Sequence, residues 1–280
     1  MPSIEPITID TPRGRFAARA LGPSDAPPVL CLHGFPDDAG TFDDLLPRLA
    51  AAGFRAVAPF LRGYAPSPLS GPYGMGDLSA DLLAVGRALS PSEPFRVVGH
   101  DIGSQAALRA SADAPDRIAR LVALAGPHPT AMLENVRRSP AQVWRSRYIA
   151  LFQIPGLAEW RVRRNGFAHL DALWRRWSPG FDPPPERMTS VKRTFAASMP
   201  APVAMYRSGD FGGDPRPIPV PTLFLAGAND GCIAPAMADG QERFFTGGYA
   251  REVIPDAGHF LHLERPEAVG RRIVDWLQGS

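Results

Sequence analysis

The chain has 280 residues, 45% hydrophobic and 21% charged, with a formal net charge of +2, the profile of an ordinary globular protein rather than a disordered or fibrous one. That balance gives no reason to expect nucleic acid or an anionic membrane as a partner. No apolar run approaches the roughly 20 residues that span a bilayer, and the start of the chain, Met1-Pro2-Ser3-Ile4-Glu5-Pro6, lacks the basic and apolar regions of a signal peptide. The expectation is a cytoplasmic protein, monomer or homodimer, built as one large α/β domain or as a core with an inserted subdomain.

Short apolar runs alternate with helical patterns, which points to βα units and a mainly parallel sheet. Residues 4–9 and 16–20 predict two early antiparallel strands, and residues 29–32 predict a buried one. A helix follows over 44–51, then a strand over 54–59 and a long amphipathic helix over 76–89. Strand signals recur at 95–98, 121–125, 222–226 and 252–254. A last helix over 266–277 has Pro266 at its first turn and Gly279 just past its end. Cys31 and Cys232 each lie in or beside an apolar segment and read as buried reduced thiols.

Between Pro127 and Pro219 the rhythm changes. Four of the five tryptophans fall here, Trp144, Trp160, Trp174 and Trp177, among arginines such as Arg137, Arg138, Arg163, Arg164, Arg175 and Arg176. Ala168, Leu170, Leu173 and Trp174 recur at helical spacing, and the arginines read as a solvated face. This predicts a core of residues 1–127 and 219–280, interrupted by a helical insertion, 128–218, that closes as a lid over the carboxyl ends of the strands.

The chemistry centres on Gly99-His100-Asp101-Ile102-Gly103, between the strand-like Phe95-Arg96-Val97-Val98 and the helix-like Ser104-Gln105-Ala106-Ala107-Leu108. That is the strand–turn–helix setting of a nucleophile elbow, with aspartate where a hydrolase usually has serine. The alternative is an exposed Asp in a Gly-rich turn. As a nucleophile, aspartate is already ionised at neutral pH and attacks carbon directly, leaving an ester that must be hydrolysed. His259, in Ala257-Gly258-His259-Phe260 after the last strand, is the candidate base. Asp230, in Gly227-Ala228-Asn229-Asp230-Gly231, is its candidate orienting acid, although Asn-Asp-Gly also makes a plain turn. Their chain order, nucleophile, acid, histidine, fits a triad. His262 more plausibly packs or caps. The loop His33-Gly34-Phe35-Pro36 reaches the same rim, so oxyanion donors are expected from the backbone N–H groups of Phe35 and Ile102. His33 and His100 read as structural. No ligand cluster for a metal and no site for an organic cofactor is visible in the spacing.

These segments, with Ala58-Pro59-Phe60-Leu61-Arg62-Gly63-Tyr64, resemble the α/β-hydrolases that carry an aspartate nucleophile, most closely the epoxide hydrolases, over nearly the whole chain. The core motifs alone do not separate epoxide hydrolases from haloalkane or haloacid-type dehalogenases, or from a relative that binds without turnover. The resemblance implies two lid tyrosines that protonate an epoxide oxygen, and two segments match them. Tyr148 precedes Phe152-Gln153-Ile154-Pro155-Gly156, and Tyr206 lies in Met205-Tyr206-Arg207. Ile102 stands where many relatives have Trp and where fluoroacetate-type dehalogenases have Arg, so no side-chain donor for halide or substrate carboxylate follows the nucleophile. The expected activity is conversion of a small-molecule epoxide to a vicinal diol through an Asp101 ester. Lid aromatics Trp144, Phe152 and Phe181 are expected to shape the substrate cavity.

Overall fold

In the computed structural model, which describes residues 3–209 and 213–279, β1 (Glu5–Thr11) and β2 (Gly14–Leu21) form an antiparallel hairpin. β2 also pairs antiparallel with β4 (Arg55–Pro59). The other pairings are parallel and bring in β3 (Pro28–Leu32), β5 (Phe95–His100), β6 (Ile118–Leu124), β7 (Thr222–Gly227) and β8 (Tyr249–Ile254). The sheet order is β1-β2-β4-β3-β5-β6-β7-β8. β3 therefore has β4 on one side and β5 on the other, and the chain leaves it in opposite directions. Such a switch point opens a crevice at the carboxyl ends of the strands. The loop with Phe35 and the turn with Asp101 both begin there.

The helices of the first half are α1 (Leu46–Ala51), α2 (Met75–Leu89) and α3 (Ile102–Asp113). Between β6 and β7 come α4 (Pro129–Val136), α5 (Pro140–Arg145), α6 (Arg147–Phe152), α7 (Leu157–Trp177), α8 (Pro185–Ser198) and α9 (Ala201–Ala204). Short α10 (Leu261–Glu264) and long α11 (Pro266–Gln278) end the series. Successive strand side chains point to opposite faces. Leu30, Leu32, Val97 and Leu121 thus pack with Leu78, Leu82 and Leu108 of α2 and α3. Val29, Cys31, Val98 and Val122 pack on the other face with Leu46, Leu49, Val269, Ile273 and Leu277 of α1 and α11. Strands buried on both faces read as continuous apolar runs, which is why β3, β5 and β7 were legible. β8 begins at Tyr249, three residues before its sequence signal, because this half-exposed edge strand mixes Arg251 and Glu252 into its run.

No strand occurs between β6 and β7 among the described residues. α7 is broken at residues 164–167, where Asn165, Gly166 and Phe167 have φ of 53°, 61° and 64°. Beyond the break Leu170, Leu173, Trp174 and Trp177 are buried, while Arg163, Arg164 and Arg175 face solvent with Ala168. No helix among the described residues is long and apolar enough to cross a membrane.

Candidate active site

β5 ends directly in the turn that carries Asp101, whose φ of 53° and ψ of −118° lie outside the regions open to most side chains. Such a conformation costs about 1–3 kcal/mol and persists only where its surroundings enforce it. Here the Asp101 N–H donates to the Leu124 carbonyl at 3.0 Å, and the N–H of Ser104 donates to the Asp101 carbonyl at 3.0 Å. Gly103 is required by close approach, since a Cβ on it would lie 2.3 Å from the Leu32 carbonyl oxygen. Gly34 faces Asp101 so closely that a Cβ there would come within 2.5 Å of the Asp101 side chain.

Asp101 is buried, and its two carboxylate oxygens have different surroundings. Oδ1 accepts from the Phe35 N–H at 3.0 Å. Oδ2 lies 3.6 Å from Nε2 of His259. Burial pushes the Asp101 carboxyl up, but His259, His100 and the Ile102 N–H outweigh it and hold it below its ordinary value. The site therefore keeps an ionised carboxylate in a largely dry setting.

Nδ1 of His259 meets Oδ2 of Asp230 at 2.9 Å. Asp230 Oδ1 is occupied by the N–H groups of Cys232 and Ile233, at 2.7 and 2.8 Å. Burial favours the neutral His259 ring, yet the charges of Asp230 and Asp101 on either side raise it to about 10. The loops that bear this pair share one anchor. The Trp177 carbonyl, at the end of α7, accepts from the N–H of Gly231 at 2.9 Å and from that of His259 at 3.1 Å. His100 Nε2 contacts the His259 carbonyl at 3.0 Å. His33 Nε2 accepts from the Leu61 N–H, so Nδ1 carries the proton and donates to the Gly34 carbonyl. His262 contacts Thr41 Oγ1 at 2.7 Å. These three histidines fix backbone and packing around the site.

A chamber of about 230 Å³ opens on Asp101 and is lined by Tyr148 and Tyr206 together with Ile102, Met132, Ile149 and Ile233. α6 supplies Tyr148, and Tyr206 follows α9. Their rings meet edge to face with centroids 5.8 Å apart. Burial, with the nearby Asp101 charge, raises both phenols well above their ordinary value, so each stays protonated at neutral pH. Gln153 ties the two segments together by donating to the Tyr206 carbonyl at 2.8 Å. Arg207 donates to the Phe152 carbonyl at 2.8 Å and pairs with Glu159.

The arrangement joins a carboxylate held by two backbone donors, a histidine–aspartate pair and two phenols. A model of the family described as alpha/beta hydrolase fold matches residues 27–266. The chain belongs to the α/β-hydrolase family. It is most like the epoxide hydrolases of that family: it is 30% identical to epoxide hydrolase 3 of Xenopus tropicalis over 94% of this chain and 75% of that protein. It is 28% identical to epoxide hydrolase A of Mycobacterium tuberculosis, over 97% of this chain and 96% of that one. The solved epoxide hydrolase of an endophytic Streptomyces superposes with a TM-score of 0.82 at 25% identity, over 99% of this chain and 96% of that one.

Within this α/β-hydrolase, three aromatic expectations need correction. Trp144 is 67% exposed and packs under the Arg147 guanidinium, 4.3 Å from its ring, outside the chamber. It lies on the outer face of α5, so its position in the lid segment did not place it at the substrate. Phe152 is fully buried behind the site, with its ring edge-on to Phe35, Tyr148 and Tyr206 at 5.4, 5.5 and 5.2 Å. It packs the tyrosines instead of lining the chamber. Phe181 lines a separate surface cavity with Arg187. Sequence spacing also hid two groups. The Trp177 ring lies 5.2 Å from both His259 and Tyr148. Cys232, two residues past Asp230, brings its Sγ to 3.9 Å from Tyr148 Oη. One ligand atom from each of Cys232, Asp101 and His259 lies within 4.8 Å of the others, a grouping that the spacing in sequence does not show.

Proposed function

We propose that this α/β-hydrolase is an epoxide hydrolase that forms a covalent ester on Asp101. The observation that carries the reading is the edge-to-face pair Tyr148 and Tyr206, which lines the same chamber as Asp101. An epoxide oxygen leaves as an alkoxide, a poor leaving group unless an acid protonates it. Two buried phenols that stay protonated until the more basic alkoxide forms can supply that proton.

In the proposed first step Oδ2 of Asp101 attacks an epoxide carbon. The carbon–oxygen bond breaks, and the ring oxygen takes a proton from Tyr148 or Tyr206. Esterification removes the Asp101 charge, one of the causes that hold the His259 ring protonated. The ring pKa then falls, its proton passes to the tyrosinate left by the first step, and the neutral His259, oriented by Asp230, becomes able to take a proton from water. The resulting hydroxide attacks the ester carbonyl, and the N–H groups of Phe35 and Ile102 hold the tetrahedral oxyanion. Its collapse frees the diol and regenerates the Asp101 carboxylate. Residues 128–218 act as the cap that brings both phenols over the nucleophile and excludes bulk water.

The chamber suits a compact, uncharged substrate. At about 230 Å³ it falls below the roughly 300–1,000 Å³ of pockets for drug-sized ligands. Its Met132, Leu133, Val136 and Ile149 lining is apolar. Short alkyl or single-ring aryl epoxides fit this reading better than long-chain ones.

A dehalogenase reading rests on Trp177, whose buried indole nitrogen has no hydrogen-bond partner among the described residues and could face a halide. Trp177 is not among the residues lining the chamber, and Ile102 adds no second side-chain donor. Parallel assays with styrene oxide and with 1-haloalkanes separate the two. Diol without halide release is expected; halide release without diol would overturn the epoxide reading, and neither product would favour a binding protein.

A further inference from the structure

Cys232 is a metal-ligating group at the catalytic centre that the proposed reaction does not use. One ligand atom from each of Asp101, Cys232 and His259 lies within 4.8 Å of the others, and all three residues are buried. His259 Nε2 points into this space with no hydrogen-bond partner among the described residues. Asp230 already occupies Nδ1 at 2.9 Å, and a carboxylate on the far nitrogen is the support that metal-ligating histidines usually carry. We propose that Asp101, Cys232 and His259 form a soft-metal site that takes Zn²⁺ or Cd²⁺ and switches the enzyme off when occupied.

The donor set argues for the ion. A thiolate, an imidazole and a carboxylate together suit Zn²⁺ and its heavier congener, whereas Mg²⁺ and Ca²⁺ prefer oxygen ligands. With metal–ligand distances of about 2.0–2.3 Å, tetrahedral ligand atoms sit roughly 3.5 Å apart. The present spacing therefore closes by side-chain adjustments of about 1 Å. Asp101 and Ile233 line the chamber, which gives an ion its way in and leaves the fourth position to water. Cys232 binds as thiolate, so its proton leaves to solvent with any proton on Nε2 as the metal enters. Occupancy then stops both chemical steps, because the metal holds the nucleophile and the base. That inhibition rests on the catalytic reading of Asp101 and His259, whereas the binding does not.

The test titrates CdCl₂ into chelator-free protein and follows the thiolate-to-cadmium ultraviolet charge-transfer absorption alongside diol formation. The expected result is an absorption that saturates at one equivalent, loss of turnover in parallel, and recovery with EDTA; MgCl₂ should produce neither change. Cys232→Ser and Cys232→Ala should lose the absorption and need about 10–100-fold more Cd²⁺ for half-inhibition. Asp101→Asn keeps both thiols and should weaken binding as read by absorption alone. No absorption in the wild-type protein would overturn the proposal. So would an unchanged absorption in the Cys232 variants, which would assign it to Cys31, or bound Cd²⁺ with undiminished turnover. The absorption is read without substrate, so it reports the site even if the electrophile were not an epoxide.

Discussion

The backbone N–H of Phe35 donates to Oδ1 of Asp101 at 3.0 Å, joining the loop after β3 to the turn after β5 at the sheet's switch point. The bond fixes which oxygen is free. Oδ1 is committed to the backbone, and Oδ2 lies 3.6 Å from Nε2 of His259. The same N–H is in place for the oxyanion of the second step, so one donor orients the nucleophile before attack and stabilises charge after it.

Replacing His259 by Gln should separate the two steps. Asp101 keeps its Phe35 and Ile102 N–H donors, which favour the attacking carboxylate, but no base activates water, so turnover should fall by about 10²–10⁴-fold. Intact-protein mass spectrometry should find the variant heavier by one substrate molecule. Unmodified protein after incubation with an epoxide would contradict the ester.

Tyr148→Phe and Tyr206→Phe should each lower kcat/KM, and the double variant should lose about 10²–10⁴-fold or more, since either phenol alone can still donate. The rings remain, so packing against Phe35 and Phe152 is kept and melting temperatures should change little. Full epoxide opening by the double variant would remove both residues from the mechanism.

Much of this was legible in the sequence for a physical reason. Strands buried on both faces carry continuous apolar runs, and the elbow and the acid follow such runs at their carboxyl ends, while the histidine follows the half-exposed edge strand β8. Asp101, Asp230 and His259 therefore had to reach one rim once the strands were parallel. The lid offered no comparable rule. Whether Trp144 faces in or out depends on how α5 sits on its neighbours, and its helix is too short for a clear periodicity. Cys232 was hidden because sequence shows a small apolar residue in a turn, while its nearness to Asp101 joins residues 131 positions apart.

Two of the buried histidines contribute to the pH dependence of stability on the acid side. Burial lowers His33 to about 4 and His100 to about 3, from an ordinary value of 6.5. Between those values and 6.5 the unfolded chain binds protons that the native state does not, so stability rises with pH there. The contribution of these two histidines should be complete above pH 6.5 and fall as pH drops toward 4. Urea midpoints measured across that window should decline on acidification; a flat profile would contradict the neutral burial of both rings.

Arg187 of α8 pairs with Asp37 and with Asp38, the latter at 2.8 Å, and Thr194 of the same helix donates to Asp38 at 2.7 Å. This latch holds the loop that carries Phe35 against the helical segment. Arg187→Ala leaves buried carboxylates unpaired, at a cost of about 3–5 kcal/mol. Chemical denaturation should register a loss of that size, and an unchanged midpoint would mean that the latch contributes nothing.

Oxygen tracing under single turnover tests Asp101 as the nucleophile most directly. With enzyme in excess over epoxide in H₂¹⁸O, the diol should leave with the Asp101 oxygen and carry no label. Mass analysis of the peptide containing Asp101 should then show one ¹⁸O in the carboxylate. Label appearing directly in the first diol, with an unlabelled Asp101 peptide, would show that water attacks the epoxide itself and would contradict the covalent mechanism.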